Sequence, residues 1–232
     1  MADDKKAMRR TAEYIIEGKP HLLVVLAADI RKSAFAMKEA ADPLAFAHTV
    51  SEFVDFAEEI VWDSRGWFDK FTGDGFLAYW PVEVPTKGLT RKQEDRHVRR
   101  NAYRAVDVAD ELLGAFHDDI VPRLRLGSQN MRSDVGLSIG LDAGNAHMAR
   151  IASDVTIVGA PVVGAVRMVA AARTWECIAN GYVGERLRRG GDRDGTLEVV
   201  RETRSTKEYE AQEIYSLMLP RQGGPQVYSD SR

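Results

Sequence analysis

The chain has 232 residues, 44% of them hydrophobic and 29% charged, which fits one domain with short extensions and a substantial core. A net charge of −3 argues against a protein held to nucleic acid by bulk electrostatics, and a lone cysteine, Cys177, excludes an intrachain disulfide and points to a reducing cytoplasm. The opening Met1–Lys6 is charged and lacks the apolar core of a signal peptide, and the longest apolar run, Leu22–Ala28, is too short for a bilayer. A soluble, cytoplasmic protein without a membrane or nucleic-acid partner is expected.

Residues 1–20 have the pattern of a short amphipathic helix ending at Gly18 and Pro20. His21–Ala28 predicts a buried central strand, since it is rich in Val and Leu and does not alternate. Helical periodicity fills 34–64 and is interrupted at Asp42-Pro43, where a helix starts with Asp42 as cap and Pro43 in its first position. Gly66–Phe71 and Phe76–Trp80 predict two strands joined by the turn Thr72-Gly73-Asp74-Gly75. A polar loop, 81–92, leads to a long helix over 97–120. A second hairpin is expected from strands near 135–141 and 146–150 around Asp142-Ala143-Gly144-Asn145. Then come a small-residue helix over 161–172, a short strand at 177–179, a short helix over 183–188, and strands near 196–201 and 213–219. The Gly/Ser-rich residues 221–232 are expected to be a disordered tail, leaving one domain over 21–220. The order of elements predicts an α/β (α+β) fold of the ferredoxin-like kind, a mixed sheet with helices mainly on one face.

Two segments carry the chemistry. Leu22–Asp29 ends in a carboxylate, and Trp67–Gly75 brings Asp74 to a turn. A pair of carboxylates held at a strand end and a turn suits hard divalent cations on a triphosphate, which take oxygen ligands and clamp the attacking and leaving oxygens in phosphoryl chemistry.

Four motifs in order resemble the class III nucleotide cyclase catalytic domain over roughly 20–219: Asp29-Ile30; Lys70-Phe71-Thr72-Gly73-Asp74; Ile139-Gly140-Leu141-Asp142-Ala143-Gly144; and Ile157-Val158-Gly159 followed by Ala165-Val166-Arg167-Met168. Each is weak alone; a Gly-Asp-Gly turn is more often a plain hairpin. The resemblance implies that Asp29 and Asp74 coordinate two Mn²⁺ or Mg²⁺ ions, with the Ile30 carbonyl as a further ligand. It implies a head-to-tail homodimer in which Lys70 serves the partner's site while Asp74 serves its own. Thr156 stands where the family recognises the base, Arg167 where the transition state is stabilised, and Lys207 where a late lysine approaches the phosphates; Arg31 and Lys32, two cations just after Asp29, are expected to neutralise the triphosphate beside the amides of the following helix start. Asp69 is expected to alternate to the face opposite Lys70 and to be structural.

The sequence also departs from that family. Val163 replaces the Asn that positions ribose, four residues before Arg167, and Arg31-Lys32-Ser33 replaces a Gly-Phe pair after Asp29-Ile30. Trp67, Phe68, Phe71, Tyr79 and Trp80 crowd the hairpin; most such aromatics pack in cores, and any that faces the base shrinks the pocket toward a pyrimidine. With the Asp-Ile-Arg-Lys-Ser and Phe-Asp-Lys-Phe-Thr-Gly-Asp-Gly stretches, these departures are similar to the pyrimidine cyclases of bacterial Pycsar anti-phage systems. That resemblance implies conversion of UTP to cyclic UMP, a messenger acting on a separately encoded effector. The alternatives are a cytidylate cyclase, an adenylate cyclase, and a degenerate domain that binds nucleotide without turnover. The Gly-Gly-Asp/Glu-Glu-Phe turn of diguanylate cyclases is absent.

Overall fold

Strand β1 (Pro20–Arg31) is the axis of the molecule because it is apolar on both faces. Leu22, Val24, Leu26 and Ala28 enter one core and Leu23, Val25 and Ala27 another, as the two-residue period of a strand requires. The computed structural model describes residues 20–82, 88–126, 135–151, 154–190, 197–205 and 212–219. The expected helix over 1–20 and tail over 221–232 lie outside them, except that Pro20 begins β1.

β1 runs antiparallel to β3 (Gly75–Pro81) on one side and to β4 (Gly136–Ile151) on the other. Beyond β3 lies β2 (Trp67–Phe71). Beyond β4 come β6 (Cys177–Asn180), β8 (Gln212–Met218) and β7 (Glu198–Arg204), so the sheet order is β2-β3-β1-β4-β6-β8-β7. The β4–β6 pair is parallel and the others are antiparallel, which makes the eight-stranded sheet mixed, as predicted.

Helices α1 (Ser33–Glu39) and α2 (Pro43–Asp63) follow β1. The Asp42 cap holds as the sequence predicts: its carboxylate accepts from the Leu44 amide at 2.9 Å and the Ala45 amide at 3.3 Å. Helix α3 (Arg91–Ala115) starts six residues before the predicted position because Thr90 and Gln93 form a reciprocal capping box. It passes through a π-helical turn, Phe116–Ile120, into α4 (Val121–Leu126). Helices α5 (Ala160–Ala171) and α6 (Gly181–Gly190) flank β6 in sequence.

The second predicted hairpin does not form. Residues 136–147 pair one by one with all twelve residues of β1, and this uninterrupted ladder outweighs the local turn signal at Asp142–Asn145. β4 instead continues to Ile151, and β5 (Asp154–Val158), which periodicity did not reveal, returns antiparallel along its end.

Residues of α2, α3, the π-helical turn and α6 share one core with one face of the sheet. The expectation of helices mainly on one face meets one exception. Helix α5 packs on the other face with β5 and the end of β4. It approaches closely because β4 presents Ser138, Gly140, Asp142 and Gly144 there. A Cβ at Gly140 would stand 2.4 Å from the Ala165 carbonyl oxygen. Among the described residues no helix is long and apolar enough to cross a membrane.

Candidate active site

The turn between β2 and β3 is docked against the end of β1. Thr72 donates through its amide to the Gly75 carbonyl at 2.7 Å and through its hydroxyl at 3.0 Å, closing the turn, while Gly73 takes φ of 102°, a left-handed value that favours glycine. The Ile30 amide then donates to the Asp74 carbonyl at 2.8 Å, and Asp29 stands opposite Gly75 in the β1–β3 ladder. Two segments more than forty positions apart are thereby pinned together with one carboxylate each.

Their electrostatics reflect this closeness. Burial raises the Asp29 carboxyl above the usual carboxylate range, the Arg31 guanidinium opposes the rise, and the Asp74 charge adds to it. Asp74 is exposed, and its Oδ2 accepts from the Ser33 hydroxyl at 2.8 Å, which aims the carboxylate back across the mouth of β1. Among the described residues no trio of His, Cys, Asp and Glu side chains gathers. Two neighbouring carboxylates, one partly buried and one exposed, suit Mg²⁺-like ions, which keep waters and substrate phosphates as ligands rather than sitting in an all-protein cage.

Lys70 and Thr156 meet, although 86 positions separate them: the Lys70 ammonium donates to the Thr156 hydroxyl oxygen at 2.8 Å. β5 carries Thr156 across to β2 because β4 overruns β1 and turns back on itself. Asp69 joins them, contrary to its expected place on the opposite face. The β2–β3 register shifts between Phe68 and Lys70, leaving Asp69 as an extra, bulged residue. Its Oδ2 accepts from the Thr156 hydroxyl at 2.7 Å and lies 3.8 Å from the Lys70 nitrogen. Simple alternation hid this residue, and no local sequence signal marks the bulge.

Arg31 and Lys32 part company. The Arg31 guanidinium is held at 2.8 Å on the Ser138 hydroxyl, at 3.0 Å on the Ala172 carbonyl, on the Val169 carbonyl, and 3.6 Å from Asp29. It fastens β1 to the C-terminal end of α5, so its donors are already engaged. Lys32 is exposed at φ 60°, immediately before α1. Arg167 is exposed on α5, one turn beyond the exposed Val163, so the two share a helix face. Lys207 lies outside the described residues. Of the hairpin aromatics, Trp80 and Tyr79 are buried, Phe68 stacks on Phe76 and Trp67 packs edge-on against Trp62; Phe71 is 42% exposed beside Lys70.

This mixed eight-stranded sheet, flanked by helices on both faces, has the fold of class III nucleotide cyclase catalytic domains. Among solved structures, the chain is similar to the adenylyl cyclase CyaB from P. aeruginosa, at 16% identity over 86% of this chain and 94% of that one, with a TM-score of 0.67. It is similar to the guanylyl cyclase Cya2, at 19% identity over 92% and 98% of the two chains, with a TM-score of 0.67. It is also similar to the guanylate cyclase domain of RhGC from Catenaria anguillulae in complex with GTP, at 14% identity over 88% and 100%, with a TM-score of 0.65. No family model matches the sequence, and no curated protein matches it.

Proposed function

We propose that this chain is a nucleotide cyclase, a phosphorus–oxygen lyase that converts UTP into 3′,5′-cyclic UMP and diphosphate at a homodimer interface. The observation that supports it best is the docking of the Asp74 turn on the end of β1, which sets a second carboxylate beside Asp29. Asp29 and Asp74, with the Ile30 carbonyl, would hold two Mn²⁺ or Mg²⁺ ions. When bound, such ions supply positive charge to the attacking and leaving oxygens.

In this scheme Lys70 and Thr156 of one protomer take the base of a nucleotide whose phosphates lie against the partner's carboxylates. The ribose 3′ oxygen attacks the α-phosphorus, the bond from that phosphorus to the bridging oxygen breaks, diphosphate leaves, and the hydroxyl proton passes to solvent. Arg167 stabilises the charge that builds on the phosphoryl oxygens, and Lys207 and Lys32 neutralise the departing phosphates. We leave Arg31 out of the phosphate set because its donors are occupied within the fold. Val163 offers no hydrogen bond to ribose, so orientation rests on the base and phosphate contacts.

Uridine is favoured by the resemblance to the Pycsar pyrimidine cyclases. The same resemblance carries the antiviral setting, with the product acting on a separate effector. The test is incubation of the purified protein with Mn²⁺ and each of UTP, CTP, ATP and GTP, with diphosphate release and product mass as readouts. Selective formation of cyclic UMP is expected. Turnover of CTP or ATP equal to that of UTP overturns the uridylate assignment, and nucleotide binding without product from any of the four overturns the cyclase.

A further inference from the structure

The Asp69–Thr156–Lys70 cluster contains one more group than base contact requires. The Asp69 side chain is only 2% exposed, whereas that of Lys70 is 47% exposed, so Lys70 and not Asp69 meets a ligand. Asp69 accepts from the Thr156 hydroxyl and also from the Ile157 amide. Burial raises its carboxyl above the usual range, against the opposing pull of the Thr156 hydroxyl, the Lys70 charge and the Ile157 amide.

These partners dictate direction. An ionised carboxylate only accepts and an ammonium only donates, whereas a hydroxyl has one proton and two lone pairs. The Thr156 proton therefore points at Asp69, and one of its lone pairs takes a proton of Lys70. Thr156, itself 5% exposed, has a single lone pair left for a ligand, and Lys70 has N–H donors.

We propose that Asp69 is a positioning residue that makes Thr156 an acceptor only, so that the pocket requires a base edge with an N–H beside an acceptor. The proposal rests on the cyclase function above in taking the ligand to be a nucleoside triphosphate. Threonine alone could donate or accept, and the buried carboxylate behind it leaves it accepting; uracil, cytosine, adenine and guanine all carry an N–H beside an acceptor, so this selects the edge that is held and not one base among the four. Asp69→Asn offers Thr156 an amide N–H in place of an oxygen and frees its proton to point at the base.

The experiment measures equilibrium binding, with Mn²⁺, of the α,β-imido triphosphates of uridine, cytidine and adenosine, of the pyrimidin-2-one and purine ribosides, which lack the N–H, and of ribose 5′-triphosphate, which has no base. Wild type should favour a base that carries the N–H over the matching ring without it by at least about tenfold, the worth of one good hydrogen bond. Asp69→Asn and Asp69→Ala should erase that preference and leave ribose 5′-triphosphate binding unchanged. Thr156→Val should do the same, the double variant Asp69→Ala/Thr156→Val should lose nothing more, and Thr156→Ser should retain the preference.

Wild type that does not discriminate against the rings lacking the N–H, an Asp69 variant with undiminished preference, equal loss for every ligand, or additive losses in the double variant overturns the proposal. If the Asp69 variants do not fold, Thr156→Val with intact preference does so instead. Cyclic product is scored separately on wild type. Its absence with all four natural triphosphates defeats the cyclase function while the binding preferences still decide the role of Asp69.

Discussion

Asp142 offers a measurable consequence of how α5 is seated. Its carboxyl is buried between β4 and α5, with Oδ1 accepting from the Ala143 amide at 2.6 Å and from the Asn180 side chain, and Oδ2 facing Gly164. Burial raises it from 3.8 to about 6, against the opposing pull of the Ala143 amide. The folded protein thus binds this proton more tightly than the unfolded chain. The stability it contributes is fully present below 3.8 and is lost as pH rises through about 6. At about 1.4 kcal/mol per pH unit the full swing is about 3 kcal/mol, and residual solvent contact reduces the expected value to about 1–2 kcal/mol. Asp142→Asn keeps the shape and the acceptor while removing the charge. In urea titrations it should be more stable than wild type by about 1–2 kcal/mol near pH 8, with the gap closing toward about pH 4. Taking the difference between the two proteins removes the similar trends expected from Asp29 and Asp69, whose carboxyls burial also raises. A gap independent of pH, or a variant less stable than wild type near pH 8, refutes the reasoning.

Three further outcomes are expected. Asp74→Ala should lower cyclic product by about a thousandfold or more with an unchanged circular dichroism spectrum and melting temperature, because its side chain sits on an exposed turn whose backbone bonds remain; normal turnover or unfolding counts against the site. Arg167→Ala should reduce kcat about 10- to 100-fold with little change in KM if its contact forms in the transition state, and an effect confined to KM places it in ground-state binding instead. Gly164→Ala would set a Cβ 1.6 Å from Asp142 Oδ2, so it should destabilise the fold by about 1–3 kcal/mol, and an unchanged melting temperature contradicts the close seating of α5 on β4.

Much of the sheet was legible because its strands are short apolar runs bounded by turn residues. β1, β2, β3, β6 and β8 lie within a few residues of their predicted spans, and the Asp42-Pro43 start of α2 follows directly from cap chemistry. The failures share a cause. At Asp142–Asn145 the local residues favour a turn, yet a full-length partner strand keeps β4 extended, and β5 is a strand only because β4 overruns β1 and offers it an edge. Arg31 reads as a free cation after Asp29, and only the placement of α5 reveals that carbonyls at its end take the guanidinium.

By itself the sequence determined the pieces: a central strand ending at Asp29, a glycine turn bearing Asp74, a lysine just before it and a small-residue helix bearing Arg167. Short-range chemistry is enough for these, since apolar period, caps and turn propensities act within a few residues. The tertiary structure decided what they are beside. The Ile30–Asp74 backbone bond, the bulge that turns Asp69 toward Thr156 and the packing of Gly140 and Gly164 under α5 depend on partners dozens of positions away. Such contacts form only when the whole sheet closes, because each is held by a register that the local chain does not encode.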